Sequence, residues 1–464
     1  MSDTQSAASA RLVSLLDANS FVEFGAQVTA RSTDFNLSAK VAPSDGVITG
    51  YGTIDGSLVF VYSQDASVLG GSIGEMHAKK IVKLYQQAAK MGAPVIAMLD
   101  STGVRLEEST DALNALGEIY RNQVLVSGVV PQIAIVCGNC GGGLSFVPAI
   151  SDFVFMESTD GKLYVNTPDA ITGNNIDLID NRAASYQAEV GNVDFIGTED
   201  EIFAAVRALI GLLPFNNEDG GEVLACTDDL NRACTGISSY KEDAASMLAM
   251  IADNGVFFET RKAFAECIVT GFMKLNGQTI GAVANSGKTD VICANGADKA
   301  SEFINFCDAF NIPVLTLANL KGYSRTECQE KKLPKAAARL ATAYADATVP
   351  KVTVVTGKAY GSAYVLMGSK AIGADFVYAW PDAEIGMMDA KEAAKILVGD
   401  GTAAEIRKTA AEYSALQQNV SSAAQRGYVD TIIDDADTRK YVIGAFEMLY
   451  TKRENRPNKK HGTI

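Results

Sequence analysis

The chain has 464 residues, of which 47% are hydrophobic, and a formal net charge of −15. This composition can build more than one large core, and the acidic balance argues against nucleic acid as the main partner. No run of about 18 apolar residues predicts a membrane span, and residues 1–10 lack the features of a signal peptide, so we expect a cytoplasmic protein without membrane insertion.

The first strong signal is a β-hairpin. Residues 47–56 form an alternating strand that ends in Asp-Gly, and a second apolar strand is predicted at 58–62. The same signal returns at residues 268–277, which end in Asn-Gly, with a second strand predicted at 279–283. The recurrence of this hairpin is the first indication of an internal repeat.

Each hairpin is followed by the same series of elements: a helix, a strand that begins with Pro, and a loop of small residues. In the first half these elements are predicted at residues 74–91, 94–99 and 100–105. In the second half they are predicted at residues 297–310, 313–318 and 319–324. Gly103 then matches Gly322, at an offset of 219 residues.

A second helix and strand extend the repeat. Strands at residues 130–138 and 349–357 both begin with Val-Pro, and each runs into a turn of small residues, at 140–143 and 360–363. Alternating strands and helices predict βαβ units, mostly parallel sheets and an α/β fold. We expect two duplicated domains, residues 1–235 and 236–464, joined through a region at 220–246 that lacks hydrophobic periodicity.

The two turns of each half lie at the carboxyl ends of predicted parallel strands, where open α/β sheets bind ligands. Small residues there let a ligand approach the backbone, and two N–H groups can hold a developing oxyanion. A single glycine more often only forms a turn, but paired placement in both halves favours a function. The candidate catalytic amides are Gly103 or Val104 with Gly142 or Gly143, and Gly322 or Tyr323 with Ser362 or Ala363.

Familiar catalytic and nucleotide-binding motifs are absent or incomplete. Neither a P-loop nor a dinucleotide-binding fingerprint occurs. Residues 70–74 match G-x-S-x-G, but the histidines are His77, one helical turn later, and His461 near the end of the chain. Cys137 and Cys140 form a C-x-x-C without a second pair, so we expect buried free thiols and no metal site.

Several segments together resemble the biotin-dependent acyl-CoA carboxyltransferases. In the first half they are residues 70–81, 92–96, 100–105 and 140–143. In the second half they are residues 306–314, 347–352, 358–364 and 378–385. The similarity extends over about residues 20–450. The family includes carboxylase beta subunits for propionyl-CoA and acetyl-CoA, and decarboxylase alpha subunits for methylmalonyl-CoA and glutaconyl-CoA.

This resemblance implies tandem crotonase-like (ClpP/crotonase) domains and a ring-shaped hexamer. It implies that an acyl-CoA thioester lies against the first half, that carboxybiotin lies against the second half of another subunit, and that CO2 passes between them. The first-half amides then hold the thioester enolate, and the second-half amides hold the ureido oxygen of biotin. The ligand-binding positions implied by the matched motifs are Gly71, His77, Lys80, Arg105, Tyr360 and Gly361.

The chain has no biotin-attachment segment, so biotin is expected on a separate carboxyl carrier protein. The resemblance implies biotin carboxylase or membrane decarboxylase subunits as further partners, in a homo- or hetero-oligomer. Residues 173–191 lack a glycine-rich segment of the family, and residues 331–336 predict a solvated helix start that contains Pro334. Three functions stay open: a carboxyltransferase, a catalytically impaired CoA-binding scaffold subunit, and a biotin-independent hydrolase or isomerase.

Overall fold

The structure, a computed structural model, describes residues 6–31, 42–173, 179–219 and 225–454. It divides into two compact units, Met1–Gly220 and Gly221–Ile464. This boundary precedes the one expected after residue 235, because Cys234 is already buried in the second core and donates its N–H to Ala436 O at 2.8 Å. Residues 220–224 of the expected linker and 174–178 of the divergent segment lie outside the described ranges.

The first unit is a mixed β-sheet covered by helices. Its described strands are β1 (Val22–Glu23), β2 (Val47–Ile54), β3 (Ser57–Gln64), β4 (Val95–Ser101), β5 (Gln132–Gly141), β6 (Phe153–Glu157), β7 (Lys162–Tyr164) and β8 (Phe195–Gly197). Their order is β1-β2-β3-β4-β5-β6-β8, and β7 pairs with β5. The pairs are antiparallel from β1 to β3 and parallel from β3 to β8.

Helices of the first unit follow the strands in alternation. Those described are α1 (Ala7–Leu15), α2 (Glu75–Met91), α3 (Ser109–Val126), α4 (Phe146–Ile150), α5 (Ala184–Glu189) and α6 (Glu199–Ile210). Short 3-10 turns occur at Ser44–Gly46, Leu69–Gly71, Leu106–Glu108, Gly142–Ser145 and Pro168–Ala170. The core lies between the sheet and helices α2 and α3, which bury apolar side chains at helical spacing, such as Ile81, Leu84 and Ile119.

The second unit repeats this arrangement. Its described strands are β9 (Phe257–Thr260), β10 (Ile268–Leu275), β11 (Gln278–Asn285), β12 (Val291–Ile292), β13 (Val314–Leu320), β14 (Gly322–Tyr323), β15 (Lys351–Tyr360), β16 (Phe376–Ala379), β17 (Glu384–Gly386) and β18 (Thr431–Ile432). The main sheet has the order β18-β16-β15-β13-β11-β10-β9, β17 pairs with β15, and β12 pairs with β14. The predicted α/β class with mostly parallel sheets is confirmed.

Helices of the second unit are α7 (Ala244–Ile251), α8 (Ala294–Ala309), α9 (Glu327–Asp346), α10 (Gly361–Leu366), α11 (Ala390–Val398), α12 (Ala403–Tyr413), α13 (Val420–Gln425) and α14 (Thr438–Leu449). Single 3-10 turns occur at Ile237–Tyr240, Asp253–Gly255, Lys370–Ile372 and Asp435–Asp437, and a π-turn at Ser414–Gln418. Among the helices described in either unit, none combines the length and the apolar character that crossing a bilayer requires.

Both predicted hairpins are present, and their turns are built alike. All four turn residues have positive φ: Asp55, Gly56, Asn276 and Gly277. Positive φ at both central positions gives the two-residue turn that suits the twist of the flanking strands. In each turn two backbone N–H groups donate to one carboxylate, that of Asp17 at 3.0 and 2.9 Å and that of Asp253 at 3.2 and 2.8 Å.

The prolines that precede β5 and β15 bond to the neighbouring strand. Pro131 O accepts a hydrogen bond from Val95 N at 2.9 Å, and Pro350 O accepts one from Val314 N at 2.8 Å. Proline offers a carbonyl but no N–H, and it keeps the residue before it extended. Each Val-Pro pair therefore fixes where the central strand begins, and it does so in the same register in both units.

The prediction of a helix start at residues 331–336 was wrong. Helix α9 begins at Glu327, after Thr326, whose side chain caps the first turn, and Pro334 lies inside the helix. An interior proline costs about 3 kcal/mol of helix stability. Leu333, on the same helix, is buried in the second unit, so packing of the apolar face outweighs the local cost.

Gly357, in the middle of β15, has no room for a side chain. A Cβ there would lie 2.5 Å from Asn319 Oδ1, an atom that also accepts the Lys358 N–H at 3.0 Å. We expect Gly357→Ala to lower the free energy of unfolding by about 1–3 kcal/mol through overpacking. Gly444→Ala in α14 is the control, since its Cβ meets nothing within 4 Å and the change favours a helix by up to about 1 kcal/mol. Urea unfolding midpoints that move equally for both variants contradict this prediction.

Candidate active site

The first-half turn at residues 100–105 is held by a short parallel pairing. Ile73 N donates to Gly103 O at 2.8 Å, and Arg105 N donates to Ile73 O at 2.9 Å. Because successive N–H groups of extended backbone point in opposite directions, the Val104 N–H points away from this pairing. The Gly103 N–H donates to Ser101 Oγ at 3.0 Å. Of the two alternatives given by the sequence, Val104 is therefore the candidate donor, and Gly103 is not.

The other first-half turn begins where β5 ends. Gly142, with a φ of 61°, starts the 3-10 turn Gly142–Ser145. First-turn N–H groups have no acceptor within their own helix, which applies to Gly142 and Gly143. A Cβ on Gly142 would meet nothing within 4 Å, whereas one on Gly143 would lie 2.9 Å from Leu116 Cδ2, so the turn borders open space at Gly142. Ser101 pairs with Cys140, and the structure thus brings the two predicted turns side by side.

A pocket of about 320 Å³ opens at the first of these turns. It is lined by Leu69, Ser72, Thr102, Val104, Arg105, Leu106 and Glu107. Leu106 exposes 86% of its surface, so an apolar side chain stands exposed at the pocket. The pocket is large enough for the acyl end of a small ligand and leaves the Val104 backbone within reach.

The second half repeats this geometry. Ser324 N donates to Ile292 O at 2.9 Å in the pairing of β12 with β14, so the Tyr323 N–H points away from it, as at Val104. Helix α10 starts at Gly361, with a φ of 63°, and places Ser362 and Ala363 in its first turn. Strand β14 contacts helix α10, so the two turns of this unit also lie side by side.

Gly322 also lies beside open space, because a Cβ there would meet nothing within 4 Å. Tyr360, in contrast, exposes 1% of its surface, and its hydroxyl bonds to Glu384. We infer that Tyr360 supports the turn and does not touch a ligand.

A cavity of about 440 Å³ lies near this turn. It is lined by basic and acidic side chains, among them Lys358, Lys391, Lys395, Arg407, Glu384 and Asp389.

Lys80 was expected to bind a ligand, but its ammonium group is used inside the protein. Lys80 Nζ donates to Ser44 O at 3.1 Å and also to Ser44 Oγ and Val47 O. Lys299, its counterpart in the second unit, donates to Arg261 O, Phe264 O and Ile268 O, each at 2.9 Å. The duplicated lysines therefore hold together the loop that leads into each hairpin.

His77 is fully buried and has partners on both ring nitrogens. Its Nδ1 lies 2.9 Å from Asp45 O, and because a carbonyl can only accept, Nδ1 carries the proton. Its Nε2 then accepts from Gln64 Nε2 at 3.2 Å. Burial lowers the pKa of His77 from 6.5 to about 3. A neutral, enclosed imidazole supports the fold and does not reach a bound cofactor.

This burial predicts a pH-dependent stability. Below pH 6.5 the unfolded chain protonates His77 and the folded chain does not, so stability is lost as the pH falls from 6.5 towards 3. At pH 5 the loss is about 2 kcal/mol. His77→Gln retains a donor and an acceptor and removes the titration. Denaturant midpoints at pH 7.5 and pH 5 should therefore differ less for the variant than for the wild type, and parallel shifts contradict the assignment.

Arg105 and Gly71, also expected at the ligand, belong to the buried base of the first turn. Arg105 exposes 1% of its side chain and lies 2.7 Å from both Asp45 Oδ1 and Glu108 Oε1. Its Nη2 donates to Ser72 O at 2.7 Å. A Cβ on Gly71 would lie 2.4 Å from Asp100 O. Both residues therefore fix the backbone around Val104 and do not present groups to a ligand.

Asp45, Glu108 and Lys299 were missed from the sequence as parts of this framework. A lone acid in a loop carries no signal that it is buried against an arginine. Lys299 did carry one, since Lys80 and Lys299 stand 219 positions apart, at the offset of the repeat. A polar residue kept in both halves, where the ligands are expected to differ, indicates a role in the scaffold.

Comparisons with known proteins extend over almost the whole chain. The family model for the carboxyl transferase domain matches residues 3–464. The alpha subunit of methylmalonyl-CoA decarboxylase from Veillonella parvula is 40% identical and aligns over 98% of this chain and 92% of its own length. The propionyl-CoA carboxylase beta chain from Roseobacter denitrificans is also 40% identical, over 97% of this chain and 92% of its own.

A solved structure of transcarboxylase 12S, described as a hexamer with hydrolysed methylmalonyl-coenzyme A bound, has a TM-score of 0.93 to this chain. It is 38% identical and covers 98% of this chain and 92% of its own. These alignments include both units and both pairs of turns.

Proposed function

The chain belongs to the carboxyl transferase family, and from that premise we propose that it moves a carboxyl group between biotin, carried on a separate protein, and the α-carbon of a short-chain acyl-CoA. It is a carboxyltransferase subunit of the type found in biotin-dependent carboxylases and decarboxylases. We take methylmalonyl-CoA and propionyl-CoA as the substrate pair, because the relatives are named for them.

One observation carries this proposal: each unit presents an outward-directed strand amide beside a short helix start. Val104 and Tyr323 occupy equivalent positions after equivalent strands, and Gly142 and Gly361 have φ values of 61° and 63°. A reaction that passes through two anions, one on each substrate, needs two such sites. A hydrolase or isomerase with a single oxyanion needs only one.

In the first unit we assign to the amides of Val104 and Gly143 the role of holding the thioester oxygen as it becomes an enolate. Fixed N–H dipoles stabilise this charge without having to reorient, and one donor is worth about 3–4 kcal/mol of barrier. The adjoining pocket of about 320 Å³ receives the acyl group. The charged residues that line this pocket are Arg105, which is buried in ion pairs, and Glu107. We therefore assign catalysis principally to the backbone amides.

The second unit fits biotin at its ureido group. Gly322 borders open space, and the amides of Tyr323 and of Ser362 or Ala363 offer two donors to a single oxygen. Biotin, when bound in its carboxylated form, supplies the CO2. Strand β14 packs against helix α10, and this contact supports both turns, so the donors stay aligned while charge develops on the oxygen they hold.

Partners follow from what the proposed reaction needs. We propose a biotin carboxyl carrier protein, together with either a biotin carboxylase or membrane decarboxylase subunits. The structural neighbour is described as a hexamer, and we propose a ring of the same kind for this chain, either homo- or hetero-oligomeric. The exposed Leu106 at the first pocket supports a site completed by another subunit.

The test is an assay of the purified chain with free biotin. Methylmalonyl-CoA or malonyl-CoA is supplied with biotin, and propionyl-CoA or acetyl-CoA is followed by chromatography. We expect decarboxylated product that depends on biotin. If the chain on its own shows no turnover in any oligomer that it forms, the result supports a catalytically impaired scaffold subunit. Turnover that is equally fast without biotin supports a hydrolase or a biotin-independent decarboxylase, and contradicts the proposal.

A further inference from the structure

Two cysteines of the second unit lie against each other. All eight cysteines of the chain are unbridged, yet the Sγ atoms of Cys267 and Cys293, which are 26 positions apart in sequence, lie 2.7 Å from each other. A disulfide brings sulfurs to about 2.04 Å. The two sulfurs therefore need to approach by about 0.7 Å to become bonded.

Cys293 is placed where a thiolate is stabilised. It is the N-cap of α8, a helix of 16 residues, and its Sγ accepts the Gly296 N–H at 3.2 Å. Helix N-termini carry partial positive charge and favour the ionised sulfur. The contact between the two sulfurs lowers the pKa of Cys293 and raises that of Cys267. Cys293 is half-buried, whereas Cys267 exposes 7% of its surface.

The fold does not require sulfur at either position. In the first unit the equivalent residues are Gly46, which precedes β2, and Gly74, which is the N-cap of α2. Both are glycines, and the framework there is held by His77 and Arg105. In the second unit Gly296 takes the place of His77, and a Cβ on it would lie 2.5 Å from Cys267 Sγ. The space is therefore shaped around the two sulfurs.

We propose that Cys293 and Cys267 form a peroxide-reactive thiol pair, in which Cys293 reacts first and Cys267 closes the disulfide. The Cys293 thiolate attacks one oxygen of hydrogen peroxide, the S–O bond forms, the O–O bond breaks, and the released hydroxide takes a proton to give water. Cys267 then loses its proton and attacks the sulfenic sulfur, and a second water leaves. Two electrons pass from the thiols to the peroxide.

Peptide mapping of the full-length protein tests this pair. The protein is treated with hydrogen peroxide, free thiols are alkylated, and digests are analysed by mass spectrometry. We expect a cross-linked peptide that contains Cys267 and Cys293, about 2 Da lighter than the two reduced peptides together. Cys328 is the internal control, since it is exposed, and we expect it to react about tenfold more slowly than Cys293.

Three variants separate the roles. Cys267→Ser should stop at a sulfenic acid on Cys293 that dimedone labels, and Cys293→Ser should leave Cys267 reduced. Gly296→Ala keeps both thiols but pushes a methyl group against Cys267 Sγ, so the cross-link yield should fall. A cross-link that forms equally well in Gly296→Ala, or oxidation of Cys328 ahead of Cys293, overturns the proposal. Elution volume and far-UV circular dichroism verify that each variant is folded.

Discussion

Replacing Val104 with proline is expected to lower kcat by about 10²–10³-fold, because it removes the N–H that we assign to the thioester oxygen. The pairing of this turn uses Gly103 O and Arg105 N, and not the Val104 N–H, so proline deletes the proposed catalytic donor and leaves both pairing bonds. Biotin-dependent decarboxylation of methylmalonyl-CoA is the measurement.

Val104→Ala is the matched control for this loss. It shortens the side chain and retains the amide, so kcat should stay within a few-fold of the wild type. Tyr323→Pro makes the equivalent deletion in the second unit, with Tyr323→Phe as its control, and should also lower kcat. If Val104→Ala is as impaired as Val104→Pro while both remain folded, the side chain matters and the amide does not.

Replacing Arg105 with methionine is expected to destabilise the first unit by about 3–5 kcal/mol, because it leaves two carboxylates buried without their cation. Asp45 and Glu108 both lie 2.7 Å from the guanidinium, and both side chains are 0% exposed. Burial already raises the pKa of Asp45, and loss of the arginine raises it further. Asp45 then prefers the protonated form, so the variant loses stability as the pH rises above about 4.

Chemical denaturation at pH 5 and pH 8 measures this effect, and the deficit should be larger at pH 8. Arg31→Met is the control, since Arg31 is 43% exposed and pairs with Glu75 and Asp111 near the surface. Exposed pairs of this kind contribute little to stability. A deficit for Arg105→Met as small as that for Arg31→Met contradicts the buried network.

The order of strands and helices could be predicted because its signals are local. Asp55-Gly56 and Asn276-Gly277 set two-residue turns, and the Val-Pro pairs set the start of β5 and β15. The predicted helix at residues 74–91 is found at Glu75–Met91. Pro334 misled the prediction, since local propensity marks it as a boundary whereas burial of the neighbouring Leu333 decides the outcome.

The site was predictable only as far as the backbone is concerned. Glycine turns after parallel strands located the four turns, because position in the topology determines where they lie. The roles of Lys80, His77 and Arg105 depend on where each side chain points, and a motif does not encode that direction. Their partners are carbonyls and acids from distant loops, such as Asp45, whose burial depends on the assembled fold.

Because the spacing is constant, the two halves of the chain can be aligned with each other, residue by residue. β4 begins at Val95 and β13 at Val314, and β5 begins at Gln132 and β15 at Lys351, so both intervals are 219 residues. No insertion has been accepted between these strands in either copy, whereas the hairpins, 221 residues apart, show that one copy gained or lost two residues just before α2 and α8. Within this stretch, a residue that is identical at two positions 219 apart indicates a role in the fold. A difference, such as Asp100 in the first copy and Asn319 in the second, indicates divergence between the copies.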